Sequence, residues 1–519
     1  MVKGVIAAGH QHTAEAAAQL LDEGGNAYDA IVAAGFTACV VEPVFASLGG
    51  GGFLVGHHQN GDNCAYDFFV QTPLQAPAAD RDFYPIVANF GTAQQEFHIG
   101  LGSVAVPGVV KGLFAIHRDL GQLPMAEVMA PAIQAARQGI RLNSFQGYFF
   151  RLVRAIYLST PESRRIFGRG DDKNELVGEG DLLTLPDLAA TLEALLTEGD
   201  DLFYKGEIGQ KLAALHGAGG AVSSDDLEAY RTIKRKPFEF RFRNNRILTN
   251  PPPASGGIMV AFAMDLLSSC GTDICGPNAL DCVAYLAKLA RVMAMTDQAR
   301  MQRMLPSQCG ALDTEAMFEP EHLDLYRQLL LEGVQQTRGT TQISIADGLG
   351  NVASMGLSNG EGCGHVIPGT GIVLNNMLGE QDICPFGFVD IPTNQRMSSM
   401  MAPTLAFQAD GAIIATGSGG SNRIRTTVLQ VLMNLLEFGM LPIEAVESPR
   451  IHFEDDQLQI EGGYSRETAD ALAADFKNVE RWQGRDLFFG GAHTVRVNLK
   501  QARFEGAGDS RRAGVSITV

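Results

Sequence analysis

Apolar and polar positions follow two different periods along this chain. Near the start the spacing is helical. Thr13 suits the cap of a helix running through Leu21, and Gly24-Gly25 supplies a stop. A second helix follows from Asn26 or Ala27 to Val41. Its apolar run, Ile31 to Val41, ends at Glu42 and is short of the ~20 apolar residues of a membrane span, so it reads as a core helix. Ser47-Leu48 and four glycines, Gly49 to Gly52, then lead into Phe53-Leu54-Val55. No Lys-Ser/Thr pair follows and no helix starts there, so the glycines read as a packed turn beneath a site rather than a phosphate loop. Residues 105–215 are mostly helical in pattern, punctuated by Pro107-Gly108 and Pro131. Pro251-Pro252-Pro253-Ala254-Ser255-Gly256-Gly257 excludes helix. Helical spacing returns over Ile258 to Leu267 and through most of 277–336.

At residue 340 the period changes. Thr340 to Ala346 alternates with β-branched residues, Asp347-Gly348-Leu349-Gly350 carries turn chemistry, and Val352 to Leu357 returns as a second strand. Strands are also predicted at Gly371 to Leu374, Thr404 to Phe407 and Ile413 to Thr416, with a helix near Thr426 to Phe438. There is no internal repeat and no low-complexity linker. An α-rich first two-thirds and a β-rich last third predict α+β layering rather than a purely parallel sheet.

Composition narrows the function. The 519 residues are 45% hydrophobic and 19% charged, a globular mixture that excludes a disordered chain. Forty Lys and Arg against 58 Asp and Glu leave a formal charge of −18. That balance argues against nucleic acid as a main partner, because a duplex binder needs a basic face. The basic knots Arg164-Arg165, Lys234-Arg235-Lys236 and Arg511-Arg512 read as solvated surface. No span or secretory leader is readable, so a cytoplasmic, non-membrane protein is expected, although a trimmed leader would leave the same start. The eight cysteines read as reduced, mostly buried thiols, since the Cys270–Cys275 spacing fits neither zinc nor a redox pair. No metal site and no cofactor are expected. His452 and His493 have no carboxylate partner readable from sequence and are taken as structural.

Gly339-Thr340-Thr341 stands where the helical part meets the strand part. A threonine hydroxyl is a weak nucleophile that needs a base, and the neighbouring Gln342 cannot act as one. One economical solution makes Thr340 the first residue of a new chain, so that its own α-amine, with an ordinary pKa of ~7.7–8.0, takes the proton. The Gly339–Thr340 bond must then be cut, and the same hydroxyl can do so by attacking the preceding carbonyl. The plainer reading of a Thr-Thr pair is β-propensity at a strand start. Cys363, with His365 two residues on and on the same strand face, offers another nucleophile.

The motifs LLDEGGNAYDAIVAAG, LGGGGFLV, SVAVPGVVKG, FYKGEI, DDLEAY, NPPPASGG, GTTQISIADGLGN, GTGIVLNNMLGE, RMSSMMAPT, TGSGGSNRI and GAGDSRR occur in that order. Together they resemble the gamma-glutamyltransferase family of N-terminal-nucleophile hydrolases. The resemblance implies a four-layer αββα sandwich. It implies cleavage at Gly339–Thr340 into segments 1–339 and 340–519 that stay packed as one composite domain, each being the other's partner; further oligomerisation is left open. It makes Thr340 the nucleophile, in place of Cys363, and gives Thr341 a supporting role in processing. Arg81, in TPLQAPAADRDFY, corresponds to the family's arginine for a substrate α-carboxylate; a surface ion pair with Asp80 or Asp82 is its plainer reading. Ser358 and Asn359 fall at the family's Thr and Asn beyond the nucleophile. Glu380 corresponds to the acid for the substrate amine, and Ser398 and Ser399 to a serine pair. Gly419, Gly420 and Ser421 correspond to the glycines whose amides hold the oxyanion.

Several residues depart from the family pattern. Glu380 replaces an aspartate, and an ungapped match sets Ser399 and Met400 against the serine pair. Gly420 and Ser421 stand against the two glycines, and Gln342 against a histidine. The implied activity is cleavage of γ-glutamyl amides such as glutathione, with transfer to water or an amine. A related acylase acting on another small carboxylated amide, and an unprocessed inactive homologue serving as a binding or structural protein, are the alternatives.

Overall fold

The computed structural model describes residues 2–89, 94–269, 279–329, 340–384 and 386–519. Two antiparallel sheets face each other at its centre. Numbering only their strands, the chain supplies β1 (Gly4–Ala8), β2 (Gly51–His57), β3 (Asn63–Phe68), β4 (Ile233–Arg235), β5 (Phe238–Phe242), β6 (Asn245–Thr249), β7 (Thr341–Asp347), β8 (Val352–Ser358), β9 (Thr404–Phe407), β10 (Ile413–Thr416), β11 (Thr494–Asn498), β12 (Arg503–Ala507) and β13 (Val515–Thr518). The first sheet runs β4-β3-β2-β8-β7-β1-β13 and the second β5-β6-β9-β10-β11-β12.

Strand alternation builds the layers. In β1, Val5 and Ala7 point between the sheets, where they meet Leu405, Ala415 and Val495. Ile6 and Ala8 point the other way, into a core shared with helices α1 (Gln11–Asp22), α2 (Ala27–Val41), α3 (Val109–Leu120) and α4 (Met125–Gln138). The second sheet does the same. Leu248 faces inward, while Ile247, Ala406 and Ile414 pack against α5 (Gly256–Ser269), α6 (Val283–Arg303) and α7 (Arg423–Leu436). The result is the expected αββα sandwich.

Helix α2 is buried along its whole length, as its unbroken apolar run predicts. Asn26 and Asp29 form a capping box at its start. Helix α1 differs from expectation: it begins at Gln11, and the His10 ring accepts from the His12 amide. Thr13 is released from capping and turns inward to Glu42.

Three other expectations are corrected. Gly371 to Leu374 is no strand. Gly369 and Gly371 both take positive φ, 68° and 70°, which breaks the extended run, and Val373 and Leu374 make only isolated bridges. Arg511 and Arg512 are buried, not solvated, because Glu461 and Asp509 meet Arg511 inside the protein. Cys282 is disulfide-bonded rather than reduced, while Cys270 and Cys275 lie outside the described residues. The contrast between a helical first part and a stranded last part also weakens. Six of the thirteen central strands precede residue 340, and each sheet takes strands from both sides of it. Among the described residues no helix is long and apolar enough to cross a membrane.

Candidate active site

Strand register assembles the site. β7 and β8 form the predicted hairpin, and Asp347 fixes its turn. One carboxylate oxygen accepts from the Leu349 and Asn351 amides, and the other from the first amide of α2, at Ala27. Thr341 then pairs with Leu357 and Ser358 with Gly51, which sets Thr340 beside the far end of β8. Gly49 and Gly50 pass the main chain of Val373 and Ser358 too closely to carry a side chain and make the packed turn under the site, whereas Gly51 and Gly52 already belong to β2. A cavity of ≈ 30 Å³ opens there. Its polar lining brings together Thr340, Ser358, Glu380, Asp382, Ser399 and Ser421. Phe69, Met377, Met400 and Met401 supply much of its apolar lining.

The threonine wall is tightly built. The Thr340 carbonyl lies directly against Gly419, where any Cβ would overlap it, and accepts from Arg512 Nη1 at 3.3 Å. Thr341 Oγ1 donates to Glu42 at 2.8 Å, and Thr13 Oγ1 donates to the other Glu42 oxygen at 2.9 Å. Burial pushes the Glu42 carboxyl above its ordinary pKa, and the two hydroxyls partly offset that rise. Gln342, where the family has histidine, joins the sheets: its Nε2 donates to Ser354 Oγ at 2.9 Å, and Ser354 in turn donates to the Thr416 carbonyl. Ser344 donates to the His493 carbonyl. The His493 imidazole is held down at about 4 by burial, and its Nδ1 accepts from the Asp509 amide at 3.3 Å. Burial opposes ionisation of Asp509, but Arg450 and Arg511 outweigh it and keep the carboxyl at about 2. That buried cluster carries Arg512, whose own pKa burial lowers to about 10, up to Thr340.

The opposite wall is made of loops. Ser398 shares a 2.7 Å hydrogen bond with Ser255, just before α5, and does not line the cavity. Ser399 Oγ accepts from the Met401 amide at 3.1 Å and does line it, beside Met400. Asn359 is buried outside the cavity, its side-chain amide nitrogen donating to the Phe45 and Val44 carbonyls at 3.1 and 3.2 Å. Gly420 and Ser421 have φ of 123° and 53° and lead into the first turn of α7. Ser421 Oγ donates to Asp382 Oδ2 at 2.6 Å.

Arg81 is not brought to the cavity. It lies over the Phe83 ring at 4.5 Å and donates from Nη2 to the Phe388 carbonyl at 2.6 Å. Gly339 lies outside the described residues. The Cys363–His365 alternative has no working geometry. Burial pushes the Cys363 thiol up to about 12, which keeps it protonated, and His365 Nε2 sits 3.3 Å from Asp82. His452, which lacks a partner in sequence, meets Glu454 at 3.1 Å.

Sequence reasoning missed Glu42, Asp382 and Arg512. Glu42 gave a faint signal as the charge that ends an apolar helix, and Arg512 lies within a quoted motif. Asp382 gave none beyond its nearness to Glu380.

Two facing sheets between helical layers, with a buried threonine leading into a central strand, define an N-terminal-nucleophile hydrolase fold. A cephalosporin acylase from Bacillus halodurans shares that fold, with a TM-score of 0.85 over 99% of this chain and 96% of that one at 22% identity. The model of the gamma-glutamyltranspeptidase family matches residues 13–519, and the chain belongs to that family. It is a gamma-glutamyltransferase/glutathione hydrolase-like enzyme. A glutathione hydrolase proenzyme of Escherichia coli strain K12 is 28% identical over 92% of this chain and 86% of its own length. An ACY 1 acylase proenzyme of Pseudomonas sp. strain V22 is 30% identical over 92% and 88%.

Proposed function

We propose that the chain cuts itself at Gly339–Thr340 and that the freed Thr340 hydrolyses or transfers γ-glutamyl amides. The Thr340 hydroxyl attacks the Gly339 carbonyl carbon, the amide becomes an ester, and water opens it. Residues 1–339 and 340–519 remain packed together. In turnover the hydroxyl attacks the substrate carbonyl while the Thr340 α-amine takes its proton. Main-chain amides of Gly420 and Ser421 hold the tetrahedral oxyanion. As it collapses, the α-ammonium returns the proton to the leaving amine, which departs and leaves an ester on Thr340. Water or an acceptor amine then resolves the ester. Glu42 holds Thr341, and Glu380 takes the substrate ammonium.

The observation that carries this reading is the shared cavity. Thr340, Ser421 of the glycine loop and Glu380 line one small space, although 81 residues of sequence separate the first two. The relative named glutathione hydrolase supports γ-glutamyl amides as the first substrate class to test. Cleavage of γ-glutamyl anilides by purified protein, lost in Thr340→Ala, is the expected result. No turnover by a fully cleaved protein would refute the substrate, and turnover by Thr340→Ala would refute the nucleophile.

A second reading keeps the nucleophile and changes the acyl group. It is favoured by Arg81, which faces the Phe388 carbonyl instead of the cavity, and by Met400, which lines it. A relative is also named an acylase. A panel of other acyl amides in the same assay separates the two.

A further inference from the structure

We infer that Asp382 and Ser421 form a positioning strut that holds the oxyanion-binding amides in place. The inference rests on the role proposed above for the glycine loop. Ser421 has φ 53°, a backbone region that favours glycine, next to Gly420 at 123°. A serine held there tends to relax, and relaxation re-aims its amide. Its side chain is tied down instead. Ser421 Oγ donates to Asp382 Oδ2 at 2.6 Å, a short hydrogen bond to a carboxylate.

Asp382 is itself anchored. Its main-chain carbonyl accepts from Nη2 of the buried Arg300 at 2.9 Å. Arg300 belongs to α6, and α6 is locked to α7 because Arg425 of α7 donates to Asp297 of α6 at 2.8 Å. The glycine loop runs directly into α7. The contacts therefore close a ring: loop, Asp382, Arg300, α6, Asp297, Arg425, α7 and back to the loop. Both ends of the strut sit on one rigid body, so the loop cannot drift without breaking a buried polar contact. The turn that presents Asp382 also presents Glu380, since the Ile383 and Cys384 amides donate to the Glu380 carbonyl. One device sets both the oxyanion donors and the acid that faces the substrate.

The test is a double-mutant cycle on the self-cleaved enzyme, with kcat and KM measured on its best acyl amide. Ser421→Ala removes the hydroxyl but keeps the Cβ that disfavours this positive φ, and Asp382→Ala removes the acceptor. Each is expected to lower kcat by about tenfold with KM changed less than ~2-fold, and the double variant to be no slower than either single. Asp382→Asn, whose amide oxygen still accepts, is expected to recover part of kcat and serves if Asp382→Ala does not fold. Losses that multiply to about 100-fold overturn the strut, as does an effect confined to KM, which would make Asp382 a substrate contact. A wild-type chain that stays whole and turns over no amide removes the Thr340 reading and the strut together. A cleaved, active wild type with multiplying losses removes only the strut.

Discussion

The two walls of the cavity are built differently. The threonine wall is a strand start, a helix end and the two-residue strand Ser418–Gly419, paired with Gly491–Ala492, held by main-chain register and buried hydroxyl–carboxylate contacts. The other wall, to which acyl recognition is assigned by the proposal above, is made of loops within 380–384 and 386–401 and the Gly420-Ser421 turn, held by side chains such as Asp382 and Ser399. The quoted family motifs carry over to the first wall with only Gln342 exchanged at its centre. On the second, Glu380, Met400 and Ser421 all depart from the pattern. A nucleophile needs placement to within a fraction of an ångström, which sheet register supplies. Acyl recognition is set by side chains on loops, which can change without disturbing the sheets.

Breaking the threonine wall is expected to have the largest effect. Gly419→Ala puts a Cβ into the Thr340 carbonyl, so self-cleavage and turnover are expected to fall at least ~100-fold. Wild-type activity in that variant would show that the wall tolerates displacement. Acid is next. The buried His493 ring has a pKa lowered to about 4 from 6.5, so its contribution is complete above pH 6.5 and is lost as pH falls through 4. The shift corresponds to about 3 kcal/mol and comes chiefly from burial of the ring, with Arg512 and Arg450 adding to it. Urea unfolding between pH 7 and pH 4 checks it, and His493→Gln is expected to flatten the slope.

Glu42→Ala leaves two buried threonine hydroxyls without their acceptor and is expected to cost about 2 kcal/mol. Glu42→Gln is expected to lose less, because either hydroxyl can rotate to suit an amide. Thermal melts of both variants check the order. The smallest change belongs to Arg81, outside the cavity. If the substrate is γ-glutamyl, Arg81 must leave the Phe388 carbonyl to grip its carboxylate, and Arg81→Ala raises KM about tenfold with little change in kcat. Unchanged KM for such a donor would favour the acylase reading.

Legibility in the sequence follows the same division. The β7–β8 hairpin, helix α2 and the glycine turn were readable because local period and turn chemistry determine them. The four-layer fold needed the ordered motifs, since short strands such as β1 and β13 carry almost no pattern alone. Contacts across long stretches of chain were not readable. Thr13 looks like a helix cap until Glu42 is placed beneath it. Arg511 looks solvated until Glu461, fifty residues away, is packed against it. Arg81 matches its motif, yet its direction is set by Phe388, more than three hundred residues on.

Intact-mass and amino-terminal analysis of purified, active protein tests the central claim most directly. The expected result is two pieces, residues 1–339 and 340–519, with Thr340 as the new terminus and one whole chain in Thr340→Ala. Full activity in a single uncut chain of 55.5 kDa would contradict it.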